Sequence, residues 1–230
     1  MMQKHRFKHS IKQLATKELK TRVFAIYELE EIVLFHPQFH WEGMQILANF
    51  VRSLASTEYK KRFQSSELLK NSSNQTSTIR VDIQAALTVI GRRDASQDLS
   101  QDLSPDLNPE MLDLSYVDIR GANLDNANLQ RVILYRANLA GVSLIRADLC
   151  GTVLSAANLS GANLSQANLS QGILGAANLV ATNLTGANLY QANLFLANLT
   201  SANLDGTNLD GANLRDTKLD NTKLKISIDA

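Results

Sequence analysis

Through the second half of the chain a large aliphatic residue recurs at every fifth position. From Leu114 to Leu224 the series runs through 23 consecutive pentapeptides without an insertion, 22 centred on Leu and one on Ile119. Two residues before each centre the side chain is small or β-branched, with 13 Ala, five Thr and three Val, completed by Leu112 and Gly172. The residue just before the centre is Asn in 14 units and Asp in three, and the two positions after it vary among small and polar types. A five-residue period matches neither the ~3.6 residues of a helical turn nor the ~2 of a strand, so the chain must turn a corner in every unit. Leu and its small neighbour then point inward, and stacked coils bury a ladder that a lone repeat could not bury. The expected core is Leu124, Leu129, Leu134, Leu139, Leu144, Leu149, Leu154, Leu159, Leu164, Leu169, Leu174, Leu179, Leu184, Leu189, Leu194, Leu199, Leu204, Leu209 and Leu214. At roughly 1.5–3 kcal/mol per buried Leu, this ladder is the dominant stabilising contribution, opposed by the ordering of the backbone.

Residues 1–93 follow a different pattern. Ala25, Leu29 and Ile32, joined by Ile26 and Val33, recur at helical spacing, as do Met44, Leu47, Val51 and Leu54, while Ile83, Leu87 and Ile90 make a shorter set. Pro37 separates the first two sets. The pattern predicts a short helix near 8–16, an antiparallel pair over 18–36 and 40–63, a Ser/Asn/Thr-rich loop over 64–78, and a last helix over 79–92 closing at Gly91. Residues 96–107 read SQDLSQDLSPDL, so 94–109 are expected to form an acidic linker, or a cap on the open end of the Leu stack. The repeat region then spans 110–226, with 227–230 as a tail.

The unit A-N-L-x-x, as in Ala162-Asn163-Leu164 and Ala187-Asn188-Leu189, resembles the pentapeptide-repeat family over about half the chain. The resemblance implies a right-handed quadrilateral β-helix with four pentapeptides, 20 residues, in each coil, so that 23 units make just under six coils. At about 4.8 Å per coil the rod is ~28 Å long. The expected fold class is therefore α+β as separate modules: an N-terminal α-helical, helical-hairpin region followed by a right-handed quadrilateral parallel β-helix of about six coils. Residues 22–41, 46–52 and 83–93 resemble the HEAT-like helical module that precedes the repeats in some bacterial pentapeptide-repeat proteins. Many such relatives carry membrane-spanning segments upstream, and none is present in this sequence.

Charge divides the chain in the same place. Residues 1–93 hold 15 Lys and Arg against 8 Asp and Glu, whereas residues 94–230 hold 8 against 14. Acidic pentapeptide rods that resemble B-form DNA and act on DNA gyrase are the family's best-known functional class, and they need strong, distributed negative charge. Residues 109–225 carry nine acids and eight bases, so the repeat surface is nearly neutral; a DNA-mimicking gyrase regulator is the weaker alternative, and a nucleic-acid partner is not expected. No apolar run reaches the roughly 18 residues of a membrane span, there is no signal-peptide core, and Cys150 is the single cysteine. A cytoplasmic location fits these features.

Little in the sequence points to catalysis. His36 and His40 stand four apart with Glu42 following, but Pro37 breaks the helix that would align them, and no metalloprotease pattern is present. His5 and His9 lie near the N-terminus, and Cys150 falls just after a centre on an outward face, with no His beside it. No glycine-flanked nucleophile or phosphate loop occurs. The expectation is a non-enzymatic chain with no cofactor and no metal.

One irregularity points to a partner. Ile133, Val153 and Ile173 are the apolar occupants of the outward position before the centre, and they are 20 residues apart, which puts them on one face in adjacent coils. Tyr116, Tyr135, Phe195 and Leu196 belong to the same face. β-branched residues stacked in register also stabilise parallel ladders, which accounts for the three aliphatics but not for the aromatics. A contiguous apolar strip between polar faces marks a protein contact site. It would bind another protein, dimerise the rod, or dock on the chain's own basic helices. Lys218, Asp220, Lys223 and Lys225 charge the last coil and discourage endless end-to-end stacking.

Overall fold

The protein, as a computed structural model, is described over residues 2–64, 79–98 and 111–224. The expected loop beyond Gln64, residues 99–109 of the linker, Glu110, and residues 225–230 with the tail lie outside the described residues.

Among the described residues, four α-helices precede the repeats: α1 (Met2–Leu14), α2 (Leu19–Phe35), α3 (His40–Gln64) and α4 (Val81–Gly91). Pro37 has no amide hydrogen for the helix ladder, so α2 stops at Phe35 and a 3-10 turn over Pro37–Phe39 leads into α3. Ala25, Ile26, Leu29, Ile32 and Val33 are the buried stripe of α2, and Met44, Leu47 and Val51 that of α3. Gly43 lets the two helices approach, since a Cβ there would lie 2.5 Å from Val33 Cγ1. Helix α1 starts and ends earlier than the expected 8–16. Buried Phe7 stacks on Phe39 with ring centroids 4.7 Å apart, a tertiary contact that the basic local sequence does not announce. In α4, Asp82 is fully buried and is held by Arg22 at 2.8 Å and Arg80 at 2.9 Å.

In the repeats, single-residue parallel bridges join residues 20 apart in four columns, which pass through Ile133, Asn138, Ser143 and Asp148. The bridges do not lengthen into strands because the chain turns after every centre. The second residue after the centre sits at positive φ, as Gly at Gly141 (+65°), but also as Arg136 (53°), Ala156 (56°) and Leu196 (60°). A non-glycine residue in this conformation costs roughly 1–2 kcal/mol, which the hydrogen bonds and buried Leu of the stack offset. The Asn positions form ladders: Asn158 Nδ2 donates to Asn138 Oδ1 at 3.0 Å, and Asn178 Nδ2 to Asn158 Oδ1 at 3.0 Å. Each Asn also accepts from the backbone two residues on, as from Ser160 N at 3.2 Å. Thr fits the small inward position because its hydroxyl finds carbonyls: Thr152 Oγ1 donates to Leu149 O at 2.6 Å and Leu129 O at 3.0 Å.

The expected centres from Leu124 to Leu204 are all buried. Leu209 and Leu214 are a correction to the expected core, being only partly buried, while Leu219 and Leu224 are 45% and 48% exposed. These centres lie in the last turns of the stack, where apolar neighbours surround them on fewer sides.

Helix α4 closes the other end. Where a preceding coil would continue the columns, Gly91 O accepts from Asn128 N at 2.7 Å, Gln84 Oε1 accepts from Asn123 N at 2.9 Å, and Gln84 Nε2 donates to Asn123 O at 2.7 Å. Arg93 donates to Asn128 O and, at 2.7 Å, to Gln130 O. A Cβ on Gly91 would lie 2.7 Å from Ala127 Cβ, so the helix end rests directly on the first coil. One apolar core runs from the helices into the Leu stack. On these two columns α4 and Arg93 thus cap the first coil.

Candidate protein-interaction face

Ile133, Val153 and Ile173 pair directly in one column, with Asp113 above and Asn193 and Asn213 below. Beside it runs a second column made by the corners. Tyr116 N donates to Tyr135 O, Arg136 N to Ser155 O, Ala156 N to Gly175 O, Ala176 N to Phe195 O and Leu196 N to Arg215 O. The face therefore carries aromatic residues near its top and bottom and small residues between them.

Ile173, Tyr116 and Leu196 are 43%, 42% and 52% exposed. Ile133, Val153, Tyr135 and Phe195 are half-buried. Tyr116 and Tyr135 meet edge to face with centroids 5.6 Å apart. Arg136 lies 5.3 Å from the Tyr135 ring centre, and Arg215 4.8 Å from that of Phe195. Stacking on an aromatic face holds a guanidinium in place while leaving its edge free to bind a carboxylate. Neither arginine was singled out in the sequence, because each is an ordinary corner residue until the coil brings it over a ring.

The helices meet the rod chiefly at its end. Besides the α4 contacts, Arg52 pairs with Asp113 at 2.9 Å. The hydrogen bonds and ion pairs between the two parts include ones at Asp113, Asn123, Asn128 and Gln130 on the rod. None of these is one of the seven apolar residues of the face.

The other candidates are dispersed. His36 stands at the break after α2, whereas His40 is buried, with Nε2 3.2 Å from Asp98 Oδ1. His9 bonds Gln13 at 3.0 Å on α1, His5 lies on the same helix, and Glu42 is in the first turn of α3. Cys150 is half-buried, and the Ser170 hydroxyl donates to its Sγ at 3.4 Å. Among the described residues, no three or more His, Cys, Asp and Glu are grouped to hold a metal ion, and no helix is long and apolar enough to cross a membrane.

The family model for pentapeptide repeats matches residues 113–149, 133–171, 162–200 and 192–225. Rfr23, a pentapeptide repeat protein of the cyanobacterium Cyanothece 51142, is 35% identical, with 47% of this chain and 84% of that one covered and a TM-score of 0.32. The chain belongs to the pentapeptide-repeat family. Its repeats accordingly form a right-handed β-helix, preceded here by a helical region. Another similar structure is alr5209, a pentapeptide repeat protein of Nostoc PCC 7120, at 34% identity, covering 40% of this chain and 84% of that one with a TM-score of 0.32. QnrB1, a plasmid-mediated fluoroquinolone resistance protein, is 20% identical over 49% of this chain and 64% of its own, with a TM-score of 0.39. None of the curated proteins compared with the chain matches it.

Proposed function

We infer that this member of the pentapeptide-repeat family is a non-enzymatic interaction or scaffolding module. Its rod, of about six coils, presents the face of Tyr116, Ile133, Tyr135, Val153, Ile173, Phe195 and Leu196 to a protein partner in the cytoplasm. A regulatory role follows if that partner is itself an enzyme or a transcription factor. The observation that carries this reading is the unbroken column of three aliphatic residues where nearly every other unit has Asn or Asp, flanked by exposed aromatic and aliphatic corners. An apolar strip of this kind loses hydration when covered, and the polar ladders beside it supply the rim.

Two alternatives draw less support. Residues 149–204 contain no charged side chain, so a partner that recognises the charge of DNA, such as gyrase, finds none along the middle of the rod. Docking of the face on the chain's own helices leaves Ile173 and Leu196 uncovered, since both are exposed with the helices in place.

The test is a quantitative pull-down from native lysate with two baits, the wild type and Ile133→Glu/Ile173→Glu, each checked for unchanged circular dichroism. A wild-type partner that disappears with the variant supports the reading. Equal recovery with both baits removes the face from it, and inhibition or protection of gyrase in a supercoiling assay restores the alternative.

A further inference from the structure

The face is not flat, and its relief selects a class of partner. Three coils separate Tyr135 from Phe195, about 14 Å at the usual spacing of roughly 4.8 Å per rung. Between these walls the corner positions hold only Ser155, Ala156, Gly175 and Ala176, beside Val153 and Ile173. Side-chain size alone thus makes a notch, with a floor of small uncharged residues and an aromatic ring at each side. Allowing for the rings, its width matches an α-helix of about 10–12 Å lying across the rod.

The backbone chemistry of the face points the same way. Ile133, Leu134, Val153, Leu154, Ile173 and Leu174 all direct their amides along the rod axis into neighbouring coils. The face therefore offers no free row of N–H and C=O groups, and an extended peptide laid on it would leave its own backbone unpaired. A helix brings its backbone already satisfied.

Charge narrows the occupant further. Arg136 and Arg215 stand at the two walls, stacked on Tyr135 and Phe195, and the band between them is uncharged. Arg215 has Asp216 at 3.4 Å, but both groups are more than half exposed and the pair is weak. Arg136 makes no ion pair among the described residues. The chain's own helical half carries an excess of seven positive charges, the wrong sign for this site.

We propose that the notch between Tyr135 and Phe195 binds an amphipathic α-helix of a partner protein, one whose apolar stripe is bordered on both sides by carboxylates. The proposal rests on the reading of this face as a protein contact site and names what it takes. The partner helix inserts small or aliphatic side chains at positions i, i+3, i+4 and i+7 against Val153, Ile173 and the small corners, while its flanking Asp and Glu reach Arg136 and Arg215.

The experiment uses the full chain and two fluorescent, helix-stapled peptides with the same Leu/Ala stripe, one bordered by Glu and the other by Lys, read by fluorescence anisotropy. Gly175→Trp fills the floor without backbone strain, because Gly175 is outside the positive-φ region and its Cβ would meet only Phe195 O at 3.7 Å. The Glu-bordered peptide is expected to bind the wild type at least about tenfold more tightly than the Lys-bordered one. It should lose at least about tenfold on Gly175→Trp, and Arg136→Glu/Arg215→Glu should reverse the preference. Equal binding of the two peptides, or binding unaffected by Gly175→Trp, overturns the proposal. So does a wild type that sediments as a dimer where Gly175→Trp is a monomer, since the notch is then filled by a second copy. If a lysate partner depends on Ile133 and Ile173 while neither peptide binds, the helix is wrong and the contact face stands. If no partner depends on the face and neither peptide binds, both fall.

Discussion

The two ends of the rod meet the same problem in opposite ways. The first centres, Leu114, Ile119, Leu124 and Leu129, are at most 3% exposed, whereas Leu219 and Leu224 are 45% and 48% exposed. An end of a β-helix has two unmet needs, an apolar cover for the last ring of side chains and partners for the amides and carbonyls that point along the axis. At the first end, α4 serves both. Its apolar residues join the Leu stack, and Gln84, Gly91 and Arg93 stand in for the rungs of a missing coil. At the other end Leu204 N donating to Lys223 O is the last such rung of its series among the described residues. One end is closed by a helix, and the last described coil at the other carries Lys218 and Lys223 where Asn stands elsewhere.

The largest test of this contrast compares one Leu from each end. Leu129→Ala should cost about 4 kcal/mol, in the range for truncating a buried Leu that leaves a cavity. Leu219→Ala should cost under about 1 kcal/mol, because its side chain already meets water. Urea unfolding of the three proteins reads the difference, and equal costs would mean that the open end is covered in solution.

Arg93 comes next. Its side chain is 1% exposed and serves Asn128 O, Gln130 O and the carboxylate of Asp98. Arg93→Met keeps much of the volume and strands those acceptors, which should cost about 3 kcal/mol. The loss should be local first, with faster amide exchange at Asn128 and Arg131 than at the matching positions of the middle coils. A uniform rise in exchange along the rod would deny α4 a capping role. Gly91→Ala should be milder, about 2 kcal/mol, from a methyl forced toward Ala127 Cβ at 2.7 Å.

The repeat pattern made the rod legible because every unit votes for the same register, so Ile133, Val153 and Ile173 are found paired where the five-residue count puts them. Helices α2 and α3 were legible from their apolar spacing and from Pro37. What escaped was each feature that depends on two distant segments meeting. Gln84 and Arg93 look like ordinary polar residues of a helix and its exit until α4 lies on the first coil. Gly91 ends α4 without a positive φ, and its small size is what brings the helix against Ala127. Leu209 and Leu214 obey the repeat as well as any other centre, and only their place near the end of the stack exposes them. The notch was invisible for a related reason: its floor is defined by what Ser155, Ala156, Gly175 and Ala176 lack.

The smallest expected effect separates the ends by pH. Burial alone would raise the Asp82 carboxyl, but the hydrogen bonds and charges of Arg80 and Arg22 outweigh it and hold the group below the ordinary carboxylate value. A carboxyl lowered in the folded state binds its proton less readily there than in the unfolded chain. Its contribution is complete above the ordinary value of about 4 and is lost as the pH falls through the lowered one. Asp82 ties α4 to Arg22 of α2, so the helical end should weaken before the uncharged middle of the rod. Trp41, the single tryptophan, lies in α3 and reports that end by fluorescence, while far-ultraviolet circular dichroism also samples the coils. Between pH 7 and 5 neither signal's urea midpoint should move on account of Asp82, and below about pH 4 the Trp41 midpoint should fall first. Asp82→Asn should be less stable at neutral pH, since both arginines lose a charged partner, but should show a shallower acid slope. If the slopes of the variant and the wild type coincide, Asp82 does not set the acid limit of the capped end.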